Sequence, residues 1–182
     1  MNAGFSADLG ICRVRDLALT DAASIARYVN DRRVSINLRD RVPYPYTLED
    51  AERFLSIVCA GEPRTVFGIE VDGEAVGCVG IELNEDIERV TAKIGYWLAH
   101  AYWGRGIMAA AVRVVTKHAI DTMGVCRVHA FVFARNAASA RVLEKAGYVF
   151  EGRLRRSVIK EGEILDELLY AYVDESVPGG AR

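Results

Sequence analysis

The chain has 182 residues, enough for one substantial hydrophobic core, so we expect a single domain over residues 1–182. Its 23 basic and 25 acidic residues give a net charge of −2, which argues against a protein built to coat nucleic acid or an anionic membrane. The four cysteines are scattered and form no C-x-x-C pair, which argues against a disulfide scaffold or a zinc site and favours the cytoplasm. No apolar run approaches the ~20 residues that span a bilayer, which argues against a membrane protein.

Hydrophobic periodicity predicts a strand, two helices and a three-stranded meander in the first half of the chain. The segments are a strand at 11–15, a helix that opens at Thr20, a helix over 48–59, and strands at 64–71, 75–83 and 89–98. Between the two helices, Tyr44 and Tyr46 alternate with prolines, which forbids a regular helix there.

The second half alternates helices and strands. The segments are an amphipathic helix over 106–123, a strand at 128–133, a short helix from Asn136 through Lys145, and strands at 148–150, 153–159 and 164–173. We expect order from about residue 11 to 173 and a frayed tail over 174–182. The order βααβββαβαββ predicts an α/β (α+β mixed) fold with a single central mixed, mostly antiparallel sheet of about six to seven strands flanked by about four helices.

A glycine-rich turn joins the third meander strand to the long helix. Gly104 and Gly106 let the backbone approach a ligand closely, and the helix that follows aims unpaired N–H groups and its positive dipole end at one point. Arg105 adds a formal positive charge, so we expect a bound phosphate. The pattern matches neither a Walker loop nor a dinucleotide fingerprint, while a turn that only packs helix against strand stays open.

Three segments stand in a fixed order along the chain: VPYPYTLEDA at 42–51, GYWL through GRGIM at 95–108, and NAASARVLEKAGY at 136–148. Together they resemble the GNAT superfamily of N-acetyltransferases, and within it the Rim-type branch that acetylates ribosomal-protein N-termini. The resemblance spans residues 13–172. It implies the GNAT-like acyl-CoA N-acyltransferase fold, acetyl-CoA as cosubstrate and no metal. The implied partner is an amine acceptor such as a ribosomal-protein N-terminus. Neither nucleic acid nor a membrane is expected as a direct partner, and a homodimer stays open.

The resemblance further implies which residues hold the cofactor. The loop that cradles the CoA pyrophosphate corresponds to Trp103, Gly104, Arg105, Gly106, Ile107 and Met108. Trp103 departs from the family's Gln or Arg, and Met108 departs from a small residue, so its side chain must turn away from the phosphates. Asn136 matches the residue that contacts the pantetheine arm, although a simple helix cap would also place an Asn there.

Catalytic and acceptor roles follow from the same resemblance. The Leu98 N–H would bond the thioester carbonyl, and Ser139 would contact the cofactor and protonate the leaving thiolate. Glu151 would act as general base, directly or through water, with a pKa raised by partial burial beside Phe150. An ordinary first-turn serine and a solvated strand-end carboxylate are the alternatives for these two residues. Tyr44 and Tyr46 would lie on the acceptor side.

The acceptor is constrained by how readily its amine is neutral. An α-amine with a pKa of about 7.7 to 8.0 is roughly a tenth neutral at pH 7, whereas a lysine amine near 10.4 is neutral about once in 2,500. Selecting neutral lysine therefore costs roughly 4.6 kcal/mol, against about 1 for an N-terminus. With no His or Tyr acid/base constellation visible, we expect an N-terminal amine.

Other functions stay open at this point. An amino acid, a polyamine and an aminoglycoside-like drug are compatible acceptors, and a non-catalytic acyl-CoA-binding module would use the same cradle. A Cys/His hydrolase built on Cys126 and His129 lacks an orienting Asn or Asp signature. The basic run Arg153, Arg155, Arg156 and Lys160 is either a solvated face or a contact for an acidic acceptor or the 3′-phosphate of CoA.

Overall fold

One eight-stranded sheet organises the computed structural model, which describes residues 4–176. The strands are β1 Ser6–Asp8, β2 Arg13–Asp16, β3 Val66–Val71, β4 Glu74–Leu83, β5 Thr91–Leu98, β6 Arg127–Phe133, β7 Val149–Lys160 and β8 Glu163–Val173. Their order in the sheet is β1-β2-β3-β4-β5-β6-β8-β7. Every neighbouring pair is antiparallel except β5 and β6, which run parallel because α4 connects them as a crossover.

Five α-helices accompany the sheet: α1 Ala22–Val29, α2 Arg32–Ser35, α3 Leu48–Ala60, α4 Ile107–Met123 and α5 Ala137–Lys145. Local chemistry sets their ends. Thr47 and Asp50 form a reciprocal capping box at the start of α3, the Asn136 side chain caps α5, and Gly124 takes the left-handed conformation that ends α4. None of these helices is long and apolar enough to cross a membrane.

The predicted mixed α/β fold is confirmed, with small differences in element count. Residues 4–176 contain one strand and one helix beyond the predicted range, β1 and α2, whose three and four residues are too short for periodicity to reveal. The predicted strands at 148–150 and 153–159 join into the single strand β7, which has two irregularities in its register. Residues 177–182 of the predicted frayed tail lie outside the described part of the chain.

The sheet separates two hydrophobic clusters. Ile94 and Leu98 of β5 point to one face and pack with α4 and α5, while Trp97 points to the other face and packs with α1 and α3. β5 thus contributes side chains to both faces. β5 and β6 pair only from Thr91 to Lys93 on β5, so the two strands part before their C-terminal ends. In sheets with parallel strands, small-molecule ligands commonly bind in such an opening at the C-terminal ends of the strands.

A buried ion pair on the β2 side of the sheet should make folding stability sensitive to acid. The Asp21 carboxylate accepts two hydrogen bonds of 2.8 Å from Arg15 and one of 2.9 Å from the Ala18 N–H. Burial opposes the charge of Asp21, but these hydrogen bonds outweigh it and lower its pKa. Arg15 also pairs with Glu70 at 2.5 Å.

We expect Asp21→Asn to cost about 2 kcal/mol of folding free energy at pH 7, below the ~3 to 5 of a broken buried pair because Glu70 still neutralises Arg15. A lowered carboxyl pKa contributes stability above the unfolded value of about 3.9 and loses it as the pH falls through the folded value. The free energies of unfolding of the two proteins, measured with urea, should therefore begin to converge below about pH 4 and meet only below the lowered pKa of Asp21. A gap of constant size from pH 7 to pH 3 would contradict this role of Asp21.

Candidate functional site

A large cavity of about 1260 Å³ opens where β5 and β6 part. Its walls come from α1, from the segment between α2 and α3, from α3, β4, β5 and β6, from the N-terminal end of α4 and from the length of α5. The cavity therefore reaches both faces of the sheet through the gap between the two parallel strands. This is large enough for a cofactor and a second substrate together.

The glycine turn forms an anion cradle at one end of this cavity. Gly104 and Gly106 have φ of +77° and +81°, and a Cβ at either position would meet no atom within 4 Å. The first helical bond of α4 runs from the Ala110 N–H to the Gly106 carbonyl at 3.1 Å, so the N–H groups of residues 107–109 have no partner inside the helix. These donors and the helix dipole favour a phosphate.

The two residues that depart from the family pattern have different surroundings. Met108 is 6% exposed and packs in the hydrophobic core with Ile107, and both residues also border the cavity. The Trp103 indole N–H donates to the Leu98 carbonyl at 2.7 Å and its ring lies 4.8 Å from that of His100. Trp103 thus ties the turn to the end of β5. Arg105 is exposed, lies over the Tyr102 ring and does not line the cavity.

The free edge of β5 offers backbone donors to the gap. The Ala99 N–H donates to the Val76 carbonyl of β4 at 2.8 Å. In an antiparallel pair, the N–H groups of successive residues point alternately toward and away from the partner strand. The N–H groups of Trp97 and Gly95 therefore point toward β4, and those of Leu98 and Tyr96 point away from it. The β5–β6 pairing ends at Lys93, below both residues. The N–H groups of Tyr96 and Leu98 therefore point into the opening.

A hydroxyl pair lies on the opposite wall of the gap. The Asn136 side chain accepts the Ser139 N–H at 3.2 Å, which holds the first turn of α5. The Ser139 hydroxyl lies 2.9 Å from the Tyr96 hydroxyl, and either can donate. Burial raises the pKa of Tyr96, with the Ser139 hydrogen bond acting against it, so the phenol is neutral near pH 7. The pairing of Tyr96 with Ser139 is not visible in the sequence, because only tertiary packing brings β5 and α5 together.

The two tyrosines predicted on the acceptor side separate in the structure. Tyr46 is 9% exposed and lines the cavity, and its burial, followed by the charge of Asp50, raises its pKa to about 12. Tyr44 is 49% exposed, lies against Arg32 at 5.6 Å and does not line the cavity. The structure therefore places Tyr46 but not Tyr44 in the wall of the cavity, and a role of Tyr44 on the acceptor side stays a prediction.

Glu151 does not reach the cavity either. Its carboxylate forms a two-pronged ion pair with Arg127, which is level with Thr91, seven residues before Leu98 on β5. The Arg127 hydrogen bonds lower the pKa of Glu151, so the expected upward shift is wrong. Phe150 packs instead against its cross-strand partner Tyr170, with ring centroids 5.5 Å apart.

The segment between α2 and α3 is held over the cavity by the β7–β8 hairpin. Lys160 bonds Asp40 at 2.7 Å, and Arg39 bonds Glu167 at 2.6 Å. Lys160 is 6% exposed, so this member of the basic run is no solvated side chain. Residues 37–43 of this segment line the cavity, and the hairpin holds them in place from outside it.

Comparisons with known proteins identify the same architecture. The sequence profile described as "Acetyltransferase (GNAT) domain" matches residues 12–149. YjcK of Bacillus subtilis, named as a probable N-acetyltransferase, is 43% identical over 84 residues, which are 46% of each chain. The chain thus spans about half the length of this curated relative.

Two solved structures extend the likeness over almost the whole chain. Ribosomal-protein-S5-alanine acetyltransferase from Vibrio fischeri is 25% identical with a TM-score of 0.83, covering 94% of this chain and 98% of its own. RimJ of Mycobacterium smegmatis, solved in complex with CoA-disulfide, is 27% identical with a TM-score of 0.79, covering 92% of this chain and 84% of its own.

Proposed function

The chain belongs to the GNAT acetyltransferase family, and on that premise we propose that it transfers the acetyl group of acetyl-CoA to the N-terminal α-amine of a peptide or protein by direct attack in a ternary complex. The observation that carries the proposal is the meeting, in one cavity, of an anion cradle, free β5 donors and a paired serine hydroxyl. The V. fischeri enzyme, named for a ribosomal protein, supports a protein acceptor.

The cradle fits the phosphates of CoA because the space that a Cβ would occupy at Gly104 and Gly106 is empty. When bound, acetyl-CoA supplies an activated acetyl group. The turn and the first turn of α4 hold its pyrophosphate, Asn136 and Ser139 contact the arm, and the N–H groups of Tyr96 and Leu98 offer bonds to the carbonyl oxygen. The RimJ complex supports CoA as the bound group.

The hydroxyl pair can supply the proton that the leaving sulfur needs. When the Tyr96 hydroxyl donates to the Ser139 oxygen, the Ser139 hydrogen is free to point into the cavity toward the sulfur. The Tyr96 hydrogen bond makes the serine a better donor, because paired hydroxyls polarise each other. Ser139 is thus the proposed general acid, and Tyr96 orients it. The proton that the attacking amine loses returns to the Ser139 oxygen, so the step ends with an amide, a thiol and the original hydroxyl.

The cavity favours an amine that is already partly neutral. No histidine lines it within residues 4–176. Among the described residues, three carboxylates line it. Asp40 is paired with Lys160 at 2.7 Å. Asp50 and Glu82 have lowered pKa values, because Asp50 accepts the Thr47 N–H and Glu82 accepts from Lys93. Groups with such pKa values are poor bases at pH 7. An α-amine meets this condition far better than lysine.

Thiol release from acetyl-CoA tests the proposal. We expect release with peptides that carry a free N-terminus, and little with the same peptides when the N-terminus is blocked and an internal lysine is free. Preference for free amino acids or polyamines would favour a small-molecule acceptor. Tight CoA binding without release for any amine would instead indicate a non-catalytic module.

We expect Glu151→Gln to retain kcat within about two-fold at every pH from 6 to 9, because the carboxylate serves an ion pair outside the cavity. The thermal midpoint should fall slightly, because half-exposed pairs contribute little. Steady-state rates against pH check this. A ten-fold or larger loss concentrated at low pH would restore Glu151 as a base.

A further inference from the structure

Two glycines face each other in the middle of the sheet without a structural need for glycine. Gly80 of β4 and Gly95 of β5 are cross-strand partners, and neither has a positive φ. A Cβ at Gly95 would meet nothing within 4 Å, and one at Gly80 would meet a Val66 methyl at an ordinary 3.5 Å. Gly77, by contrast, is required, since its Cβ would lie 2.5 Å from the Trp97 carbonyl.

Glycine inside a strand weakens it, and where neither backbone conformation nor packing demands it, a closely approaching ligand is the remaining reason. Both glycines line the large cavity, and Gly95 is exposed although β5 is a central strand. The pair therefore forms a floor without side chains, open to whatever enters the cavity.

The floor continues along one face of the sheet. Side chains alternate, so Trp97 and Lys93 of β5 flank Gly95 on its face, and Glu82 lies across from Lys93. Lys93 and Glu82 form an ion pair of 2.9 Å at the far end. From Trp97 to Lys93 is four residues, about 13 Å of strand, which accommodates roughly three to four extended residues. We call this surface the glycine trough.

The near end of the trough adjoins the proposed reaction site. Gly95 directly precedes Tyr96, whose N–H points into the gap between β5 and β6. The walls are apolar: Phe54 of α3 on one side, and on the other Phe131, which shares the face of Lys93 because Lys93 pairs with His129. A chain leaving the reaction site would run over the glycines toward the ion pair.

We propose that the glycine trough binds the second to fourth residues of an extended peptide whose N-terminal amine lies at the Tyr96 end. The proposal rests on the proposed function and specifies its acceptor. A compact amine would occupy only the Tyr96 end and would not need a cleared floor as far as Lys93. A flat peptide backbone does need it, and the ion pair offers one charge of each sign to its polar groups.

The test is Gly95→Val, which places a β-branched side chain in the trough, at a position where the Cβ itself would meet no atom within 4 Å. Its matched control is Gly152→Val, because Gly152 also has no positive φ and no atom within 4 Å of its Cβ, but lies on β7 outside the cavity. Both variants should melt no lower than wild type. The acceptors are a pool of randomised tetrapeptide amides and a pool of single amino-acid amides.

We expect Gly95→Val to lower the ratio of kcat/KM for tetrapeptides over single amides by about ten-fold or more, and Gly152→Val to leave it unchanged. An unchanged ratio in Gly95→Val would overturn the trough while leaving the proposed function intact. If none of the amines makes the wild type release thiol, the proposed function fails. Peptide binding in the trough is then tested separately, by the NMR resonance of the Trp97 indole N–H in the CoA-loaded protein. A shift with the tetrapeptide pool that Gly95→Val abolishes supports the trough, and no shift overturns it.

Discussion

Gly106→Ala is expected to weaken CoA binding about 100-fold, which corresponds to about 2.7 kcal/mol. Gly106 is the N-cap of α4 with φ +81°, a conformation that costs a residue with a Cβ about 1 to 2 kcal/mol. The new Cβ would also enter the space in which the phosphates are proposed to lie. If the glycine turn changes conformation instead, the N–H groups in the first turn of α4 no longer point toward one phosphate position. Isothermal titration with CoA measures the affinity.

Gly124→Ala is the matched control for this prediction. Gly124 ends the same helix with φ +73° and an equally open Cβ position, but it does not line the cavity. Both variants should lose about 1 to 2 kcal/mol of folding free energy. Only Gly106→Ala should lose CoA affinity. Equal affinities in the two variants would show that the turn is a packing device and no phosphate site.

Ser139→Ala is expected to lower kcat about 100-fold, the lower end of what a positioned proton donor contributes. The alanine keeps the Asn136 cap and suits a helix, so CoA affinity and thermal midpoint should change little. Saturating steady-state kinetics and titration with CoA separate the two effects. Ser24→Ala, on α1 outside the cavity, is the control, because Ser24 bonds only the Asp21 carbonyl.

Tyr96→Phe distinguishes an orienting role from direct proton donation. It should lower kcat by about ten-fold, and in the double variant with Ser139→Ala it should add almost nothing, because the two hydroxyls act as one unit. Additive losses would mean that Tyr96 acts independently of Ser139. A loss under two-fold in Ser139→Ala would remove the serine from the chemistry altogether.

The parts of the site that depend on neighbouring residues in the chain were predictable. The turn at Gly104 and Gly106 needs left-handed backbone, which favours glycine strongly, and the helix that follows aims its N–H groups whatever the rest of the fold does. The Asn136 cap was predictable for the same reason. Each of these follows from bonds formed within a few residues.

Contacts between distant segments were not predictable. Tyr96, Glu151 and Tyr44 each contact a residue that is distant in the sequence. The partners lie 43, 24 and 12 positions away: Ser139 for Tyr96, Arg127 for Glu151 and Arg32 for Tyr44. Local patterns say nothing about such partners. From the sequence Glu151 is an available carboxylate, but the register of β7 places it against Arg127, whose hydrogen bonds lower its pKa.

The sequence by itself determined the order of the longer strands and helices, the ends of the main helices and the left-handed glycine turn, because φ/ψ preferences and side-chain periodicity act over one or two turns of chain. Only the tertiary structure decided where β5 and β6 part, that Ser139 meets Tyr96, and that Gly80 opposes Gly95. These depend on strand register and on the packing of helices onto the sheet, where residues far apart in sequence select one another by shape and charge.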